Sequence, residues 1–106
     1  MVPSSVTAIG GAAFTGCRKL SSVTFAEKSE LEKIGAGGFY GTALSSVELP
    51  FSVKTIGAGS FSHSALKSVV IPASVTDIER AAFSQTYLTS VIIPSSVKAI
   101  GKEVFQ

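Results

Sequence analysis

Cysteine and histidine each occur once in this 106-residue chain, tryptophan is absent, and only 15% of the residues are charged. A disulfide needs two thiols, so Cys17 cannot form one within the chain and the fold does not depend on one. The net charge is only +2, and Arg18 and Lys19 are the one adjacent basic pair. Nucleic-acid binding requires clustered positive charge, so we predict no nucleic-acid partner.

Long apolar runs are also missing. No stretch of about 18 apolar residues is present, so we predict no membrane insertion. The first residues have no basic region followed by an apolar stretch, so no signal peptide is visible in this chain.

The residues that carry chemistry are too few and too scattered for catalysis. Cys17 is the one candidate thiol nucleophile, and His63 lies more than one repeat away. A reactive thiolate needs an activating neighbour, and one histidine among scattered carboxylates has no metal-ligand spacing. The run from Gly35 to Gly38 lacks the spacing of a phosphate-binding loop. We therefore predict no catalytic residues, no metal site and no cofactor.

An internal repeat is what the chain does contain. A phenylalanine recurs along the chain, and an isoleucine stands five places before each one. The first interval is 25 residues and the following three are 22 residues. The pairs are Ile9–Phe14, Ile34–Phe39, Ile56–Phe61, Ile78–Phe83 and Ile100–Phe105. A period of this length is typical of a solenoid. One such unit is too small to bury its own apolar side chains, so neighbouring turns must stack.

The repeats divide the chain into a single solenoid domain, 1–106. We assign four full repeats at 2–25, 26–49, 50–71 and 72–93 and a partial repeat at 94–106. We expect the chain to be a fragment of a longer array. The second repeat opens with a charge-dense stretch, Ala26 to Glu30, which we interpret as a solvated loop.

Each repeat predicts local structure. The phrase Leu-x-x-Val-x-Ile alternates apolar and polar residues, which is typical of a strand with one buried face. Proline follows it at Pro50, Pro72 and Pro94, as expected at a strand end. The chain then returns through Val-x-x-Ile, a second short extended segment. A glycine after that isoleucine suggests a positive φ, and the residues around each phenylalanine suggest one short helical or 3-10 turn.

The sequence from Leu88 to Phe105 resembles the BspA-type leucine-rich repeat, whose pattern is roughly L-x-x-I-x-I-P-x-x-V-x-x-I-G-x-x-A-F-x-x-C. The resemblance covers nearly the whole chain. It implies a right-handed solenoid with a parallel β-sheet on its concave face. It also implies a cell-surface or secreted protein with roles in adhesion, host contact and antigenicity. Only Cys17 matches the family's cysteine; the other repeats have small hydroxyl residues there, at Thr42, Ser64 and Thr86.

The predicted strands leave two outward columns. The first column consists of serines: Ser22, Ser46, Ser68 and Ser90. The second becomes apolar toward the C-terminus: Thr24, Glu48, Val70 and Ile92. These eight residues, with Tyr87 at the neighbouring rim, are the candidate protein-binding residues. Neighbouring Val70 and Ile92 predict a contact patch, although β-branched residues also suit any sheet surface.

Two functions remain open at this point. The first is a non-catalytic adhesion module that binds a protein ligand, such as a host matrix or surface protein, on its concave face. The second is a structural spacer, or a designed or excised scaffold that self-associates through its uncapped ends.

Overall fold

The computed structural model describes residues 2–105, which form seven short strands joined by turns. The strands are β1 (Ala8–Ile9), β2 (Lys33–Ile34), β3 (Ser46–Glu48), β4 (Thr55–Ile56), β5 (Ser68–Val70), β6 (Asp77–Ile78) and β7 (Ala99–Ile100). Five of them form one parallel sheet in the order β1-β2-β4-β6-β7, and β3 pairs with β5 in a second parallel sheet. Successive repeats therefore stack as turns of a solenoid, which confirms the predicted architecture.

The longer sheet lies on the returning segment. Its register joins equivalent residues of successive repeats, for example Ile34 with Ile56 and Ile56 with Ile78. These isoleucines are buried, and each follows an outward residue such as Lys33 or Asp77. The Leu-x-x-Val-x-Ile phrase, which we expected to form the main sheet, is paired in only the second and third repeats, and elsewhere contributes one bridge between Val2 and Phe25.

A ladder of phenylalanine rings runs through the core. Neighbouring ring centroids are 5.3, 5.3, 5.5 and 5.8 Å apart, and neighbouring rings are within 11° of parallel, in the order Phe14, Phe39, Phe61, Phe83, Phe105. Stacked aromatic pairs of this kind contribute beyond the area they bury. The ladder explains why phenylalanine recurs at the same position in every repeat.

The segment around each phenylalanine is a series of hydrogen-bonded turns. Among the described residues no continuous helix is present, and the local bonds of these turns are of the 3-10 type that the sequence also allowed. Alternate amides bond to the next repeat: the amide of Phe39 donates to the carbonyl of Ser60 at 2.7 Å, and that of Phe61 to the carbonyl of Ala82 at 2.8 Å. The intervening amides donate three residues back, as Gly38 does to Gly35 at 3.0 Å. A helix would use these amides within its own segment and leave none of them to bond to the next repeat.

Positive φ occurs elsewhere than predicted. The left-handed residues form two columns, three and seven residues after the repeat isoleucine: Ala12, Gly37, Gly59, Ala81 and Glu103, then Gly16, Gly41, His63 and Gln85. Close approach of the neighbouring backbone instead accounts for the glycine directly after the isoleucine in three repeats, at Gly35, Gly57 and Gly101. A Cβ on Gly35 would lie 2.7 Å from the carbonyl oxygen of Ile9, and one on Gly57 would meet the carbonyl oxygen of Ile34. In the fourth repeat Glu79 occupies this position, and its carboxylate accepts the amide of Ala58 at 3.2 Å.

The core is most complete in the middle repeats. Phe39, Phe61 and Phe83 are fully buried, whereas Phe14 is half-buried and Phe105 is 46% exposed. Within the fourth repeat, Val75, Ile78 and Phe83 are buried. The apolar residues of its strand phrase, predicted to form a buried face, are only half-buried: Leu88, Val91 and Ile93.

Three repeats have a hydroxyl residue at the position of the family cysteine, and in two of them the hydroxyl bonds to a backbone carbonyl. Ser64 and Thr86 donate to the carbonyls of Phe61 and Phe83 at 2.7 and 2.9 Å. The Thr42 hydroxyl is buried without a partner.

Candidate functional site

The strand face is the outward side of the Leu-x-x-Val-x-Ile segments, and it carries the eight residues of the two predicted columns. All eight are exposed: Ser22, Thr24, Ser46, Glu48, Ser68, Val70, Ser90 and Ile92. The parallel pairing of β3 with β5 places Ser46 beside Ser68 and Glu48 beside Val70. Val47 lies between its two outward neighbours and is buried, so the alternation of the phrase holds the face outward.

An apolar groove runs between the third and fourth repeats on this face. Val70 is 56% exposed and Ile92 is 87% exposed, and both line a groove of about 380 Å³ together with Val69, Ile71, Ser90, Val91 and Pro94. The structure therefore brings Val70 and Ile92 together, as the sequence predicted. No charged residue lines this groove.

Phe51 is a surface residue that our sequence reasoning missed. Its side chain is 80% exposed. It is the second residue of a turn in which the amide of Val53 donates to the carbonyl of Pro50 at 3.2 Å, and Ser52 anchors that turn through a 2.6 Å bond to the carbonyl of Leu31. The signal was present in the sequence, because the same position holds a small residue in the other proline-led repeats: Ser4, Ala73 and Ser95.

The charge-dense stretch of the second repeat forms the equivalent turn. The amide of Ser29 donates to the carbonyl of Ala26 at 3.1 Å, so Glu27 takes the same turn position as Phe51 does one repeat later. We interpreted this stretch as a solvated loop, and Glu27 is indeed exposed. It also faces a groove, which the sequence did not indicate.

That groove, of about 510 Å³, joins the turn to the strand face. It is lined by residues of three repeats: Val23, Thr24, Phe25, Ala26, Glu27, Ser29, Glu48, Leu49, Pro50, Phe51, Ser52 and Val70. Three of the predicted site residues are among them: Thr24, Glu48 and Val70. Val70 also lines the apolar groove, so the two grooves meet at this residue; together they are the candidate site, which we call the binding surface.

Tyr87 lies apart from the binding surface. It is 68% exposed and lines a third groove, of about 380 Å³, with Arg18, His63 and Gln85. It comes just before the strand phrase, whereas Val70 and Ile92 come near its end. Four of the predicted site residues line neither groove of the binding surface: Ser22, Ser46, Ser68 and Tyr87.

Cys17 and His63 are the two side chains that the sequence analysis considered for catalysis. Cys17 is exposed and free. The His63 ring lies 5.0 Å from the Tyr40 ring, and its Nδ1 is 2.8 Å from the Ser62 hydroxyl. Within residues 2–105, no three His, Cys, Asp or Glu side chains are grouped as metal ligands would be. The same residues include no helix of the length and apolarity needed to cross a membrane.

Comparison with models of known protein families shows which family the chain belongs to. The model of the BspA type leucine rich repeat region matches residues 1–106 in six copies. The chain belongs to the BspA-type leucine-rich repeat family. Comparison with curated protein sequences gave no match.

Solved structures of related proteins have the same fold. The pneumococcal vaccine antigen PcpA is 34% identical and superposes with a TM-score of 0.91 over 98% of this chain. A leucine-rich repeat protein from Bacteroides ovatus is 35% identical, with a TM-score of 0.86 over 94%. A leucine rich cell surface protein from Faecalibacterium prausnitzii is 30% identical, with a TM-score of 0.73 over 98%.

The chain spans only part of each of these proteins. It covers 26% of PcpA, 26% of the Bacteroides ovatus protein and 35% of the Faecalibacterium prausnitzii protein. The likeness therefore establishes the repeat unit and its stacking, and the activity of any whole protein lies outside it.

Proposed function

We propose that this chain is a non-catalytic protein-binding module of a bacterial cell-surface protein, and that it binds its ligand on the binding surface. The observation that carries the proposal is the continuity of the two grooves through Val70, flanked by the exposed side chains of Phe51 and Ile92. Contiguous exposed apolar side chains on a soluble protein mark interaction sites.

The comparisons support the surface location. PcpA is described as a vaccine antigen and the Faecalibacterium prausnitzii relative as a cell surface protein. Host matrix and surface proteins are the ligand class that the family resemblance implies, since an exposed bacterial module meets them first. Solenoids of stacked repeats offer extended surfaces to such ligands.

The test is binding of the purified chain to a panel of extracellular-matrix proteins immobilised on sensor surfaces. Val70→Lys with Ile92→Lys should weaken binding at least about tenfold, because two charges would be placed where the ligand buries apolar side chains. A matched control, Thr7→Lys with Ala8→Lys, adds the same charge on the outward side of the five-stranded sheet, and we expect it to leave binding unchanged. Equal binding by both double variants would place the ligand elsewhere.

A structural spacer or self-associating scaffold is the second candidate. It is favoured by exposed apolar side chains in the last turn described, where Ile100 is 52% exposed and Phe105 is 46% exposed. These apolar side chains resemble the surface that each repeat packs against the next repeat. The oligomeric state of the chain tests this candidate.

A further inference from the structure

We infer that the groove between Phe51, Glu27 and Glu48 binds an arginine side chain of the protein partner, and that an apolar side chain about three residues away on the same partner segment rests on Val70 and Ile92. This inference depends on the proposed function, because it specifies the chemistry of the ligand that the binding surface accepts.

Charge is the first argument. Glu27 and Glu48 are the only charged residues among those that line the Phe51 groove, and both are exposed. Lys28 follows Glu27 in the chain but does not line the groove. Neither carboxylate forms an ion pair within residues 2–105, where the ion pair found joins Arg80 to Glu103 at 3.6 Å. Two carboxylates without a cation attract a basic partner and disfavour an acidic one.

The exposed ring favours arginine over lysine. Phe51 presents an uncovered aromatic ring in the same groove as the two carboxylates. A guanidinium group is planar, stacks on aromatic rings and donates two parallel hydrogen bonds to a carboxylate, whereas an ammonium group is a compact, strongly hydrated charge. The combination of ring and carboxylate in one groove therefore matches the arginine side chain better.

The spacing of the repeats determines where the apolar residue should be. Neighbouring phenylalanine rings at the second, third and fourth repeats are 5.3 and 5.5 Å apart, so each repeat advances by about the spacing of paired strands. Glu48 and Ile92 are two repeats apart, on the order of 10 Å, which an extended peptide covers in about three residues. The predicted ligand core is thus an apolar residue and an arginine separated by two residues, in either direction.

The experiment uses nine-residue peptides displayed at high density on beads, with the purified chain in solution. Four cores are compared: Leu-Ser-Ser-Arg, Arg-Ser-Ser-Leu, Leu-Ser-Ser-Lys and Leu-Ser-Ser-Glu. We expect at least one arginine core to retain about fivefold more protein than the glutamate core at low salt, and the difference to shrink in 0.5 M salt because exposed charges are screened.

Three variants assign the effect to residues. Glu27→Gln with Glu48→Gln should abolish the preference for arginine over glutamate. Phe51→Ser should remove the preference for arginine over lysine and keep the preference for basic cores. Glu32→Gln with Asp77→Asn also removes two exposed carboxylates, both on the segments that form the five-stranded sheet. This double variant is the matched control and should behave as the wild type.

The outcomes separate this inference from the proposed function. Arginine preference that survives Glu27→Gln with Glu48→Gln overturns the inference. Retention of all four cores alike, with loss in Val70→Lys with Ile92→Lys, overturns the inference while the proposed function stands. Failure of every core to bind also overturns the inference, and binding to the matrix-protein panel then decides the proposed function by itself.

Discussion

Buried and half-buried hydroxyl groups of the described residues differ in whether they have a hydrogen-bond partner. Ser64 donates to the carbonyl of Phe61, and Ser52, Ser74 and Ser96 each donate to a carbonyl of the preceding repeat at 2.6–2.7 Å. Ser60 is fully buried with an unpartnered hydroxyl. Small apolar residues occupy its position in other repeats, as at Ala13 and Ala82.

Ser60→Ala should therefore stabilise the protein. Removing a buried hydroxyl without a partner relieves a desolvation penalty of about 1–3 kcal/mol, so we expect the free energy of unfolding to rise by about 1 kcal/mol in urea denaturation. Ser64→Ala is the control, because its hydroxyl is bonded, and it should lower the same quantity by about 1 kcal/mol. A decrease for both variants would show that Ser60 has a partner.

The phenylalanine ladder makes a second prediction at this scale. Phe61 is fully buried between two rings, whereas Phe105 stacks on one ring and is 46% exposed. Phe61→Leu leaves a gap against both neighbours and should lower the free energy of unfolding by about 1–2 kcal/mol. Phe105→Leu should lower it by less than about 0.5 kcal/mol. Equal losses in thermal or urea unfolding would contradict the ladder as a continuous core element.

At the level of elements, the turn around each phenylalanine is shaped by its left-handed residues. Gly59 has a φ of 61° and the equivalent Ala81 a φ of 57°. A Cβ on Gly59 would meet no atom within 4 Å, so only the backbone conformation distinguishes the two residues there. A left-handed conformation costs an L-residue about 1–2 kcal/mol, partly offset by the greater chain entropy that glycine loses on folding.

Reciprocal substitutions in this column test the argument. Gly59→Ala should lower the free energy of unfolding by about 0.5–1 kcal/mol, and Ala81→Gly should raise it by a similar amount. Both are measured by thermal unfolding under the same conditions. Changes of the same sign in the free energy of unfolding of the two variants would contradict the stated cost of a left-handed φ at this position.

The whole molecule is a stack whose burial falls from the middle repeats to the outermost turns. Val53, Val75 and Leu66 are fully buried, whereas the equivalent Val6, Val97 and Leu88 are half-buried. Repeat proteins gain most of their stability from such interfaces between neighbours. Apolar side chains of the outermost turns therefore offer contacts to a further repeat, whether it belongs to the same chain or to another copy.

We accordingly predict that the 106-residue chain self-associates at high concentration. Ile100→Lys with Phe105→Glu changes two exposed apolar residues of the last turn, leaves the net charge unchanged, and should reduce the association measured by sedimentation equilibrium. Val70→Lys with Ile92→Glu is the matched control on the strand face, and it should associate like the wild type. A strict monomer at all concentrations would contradict the scaffold as a function.

The sequence alone determined the period, the solenoid and the inward residues, because a repeated apolar pattern can be buried only by stacking equivalent residues. Ile34, Phe39 and Leu44 recur in register, and the structure buries each of them. The outward columns also followed from alternation along the strand phrase. These features depend on local spacing, which a sequence displays directly.

Only the tertiary structure decided how the repeats are held together and which surface side chains meet. The turns around phenylalanine are not helical because their alternate amides bond to the next repeat, a contact between residues about 22 positions apart that no local pattern reveals. For the same reason Glu27, Glu48 and Phe51, which belong to different segments of two repeats, came together in one groove only in the folded chain. Because successive turns stack at about one strand spacing, residues about 22 positions apart in the sequence become neighbours in space. Only the folded chain shows which of them meet.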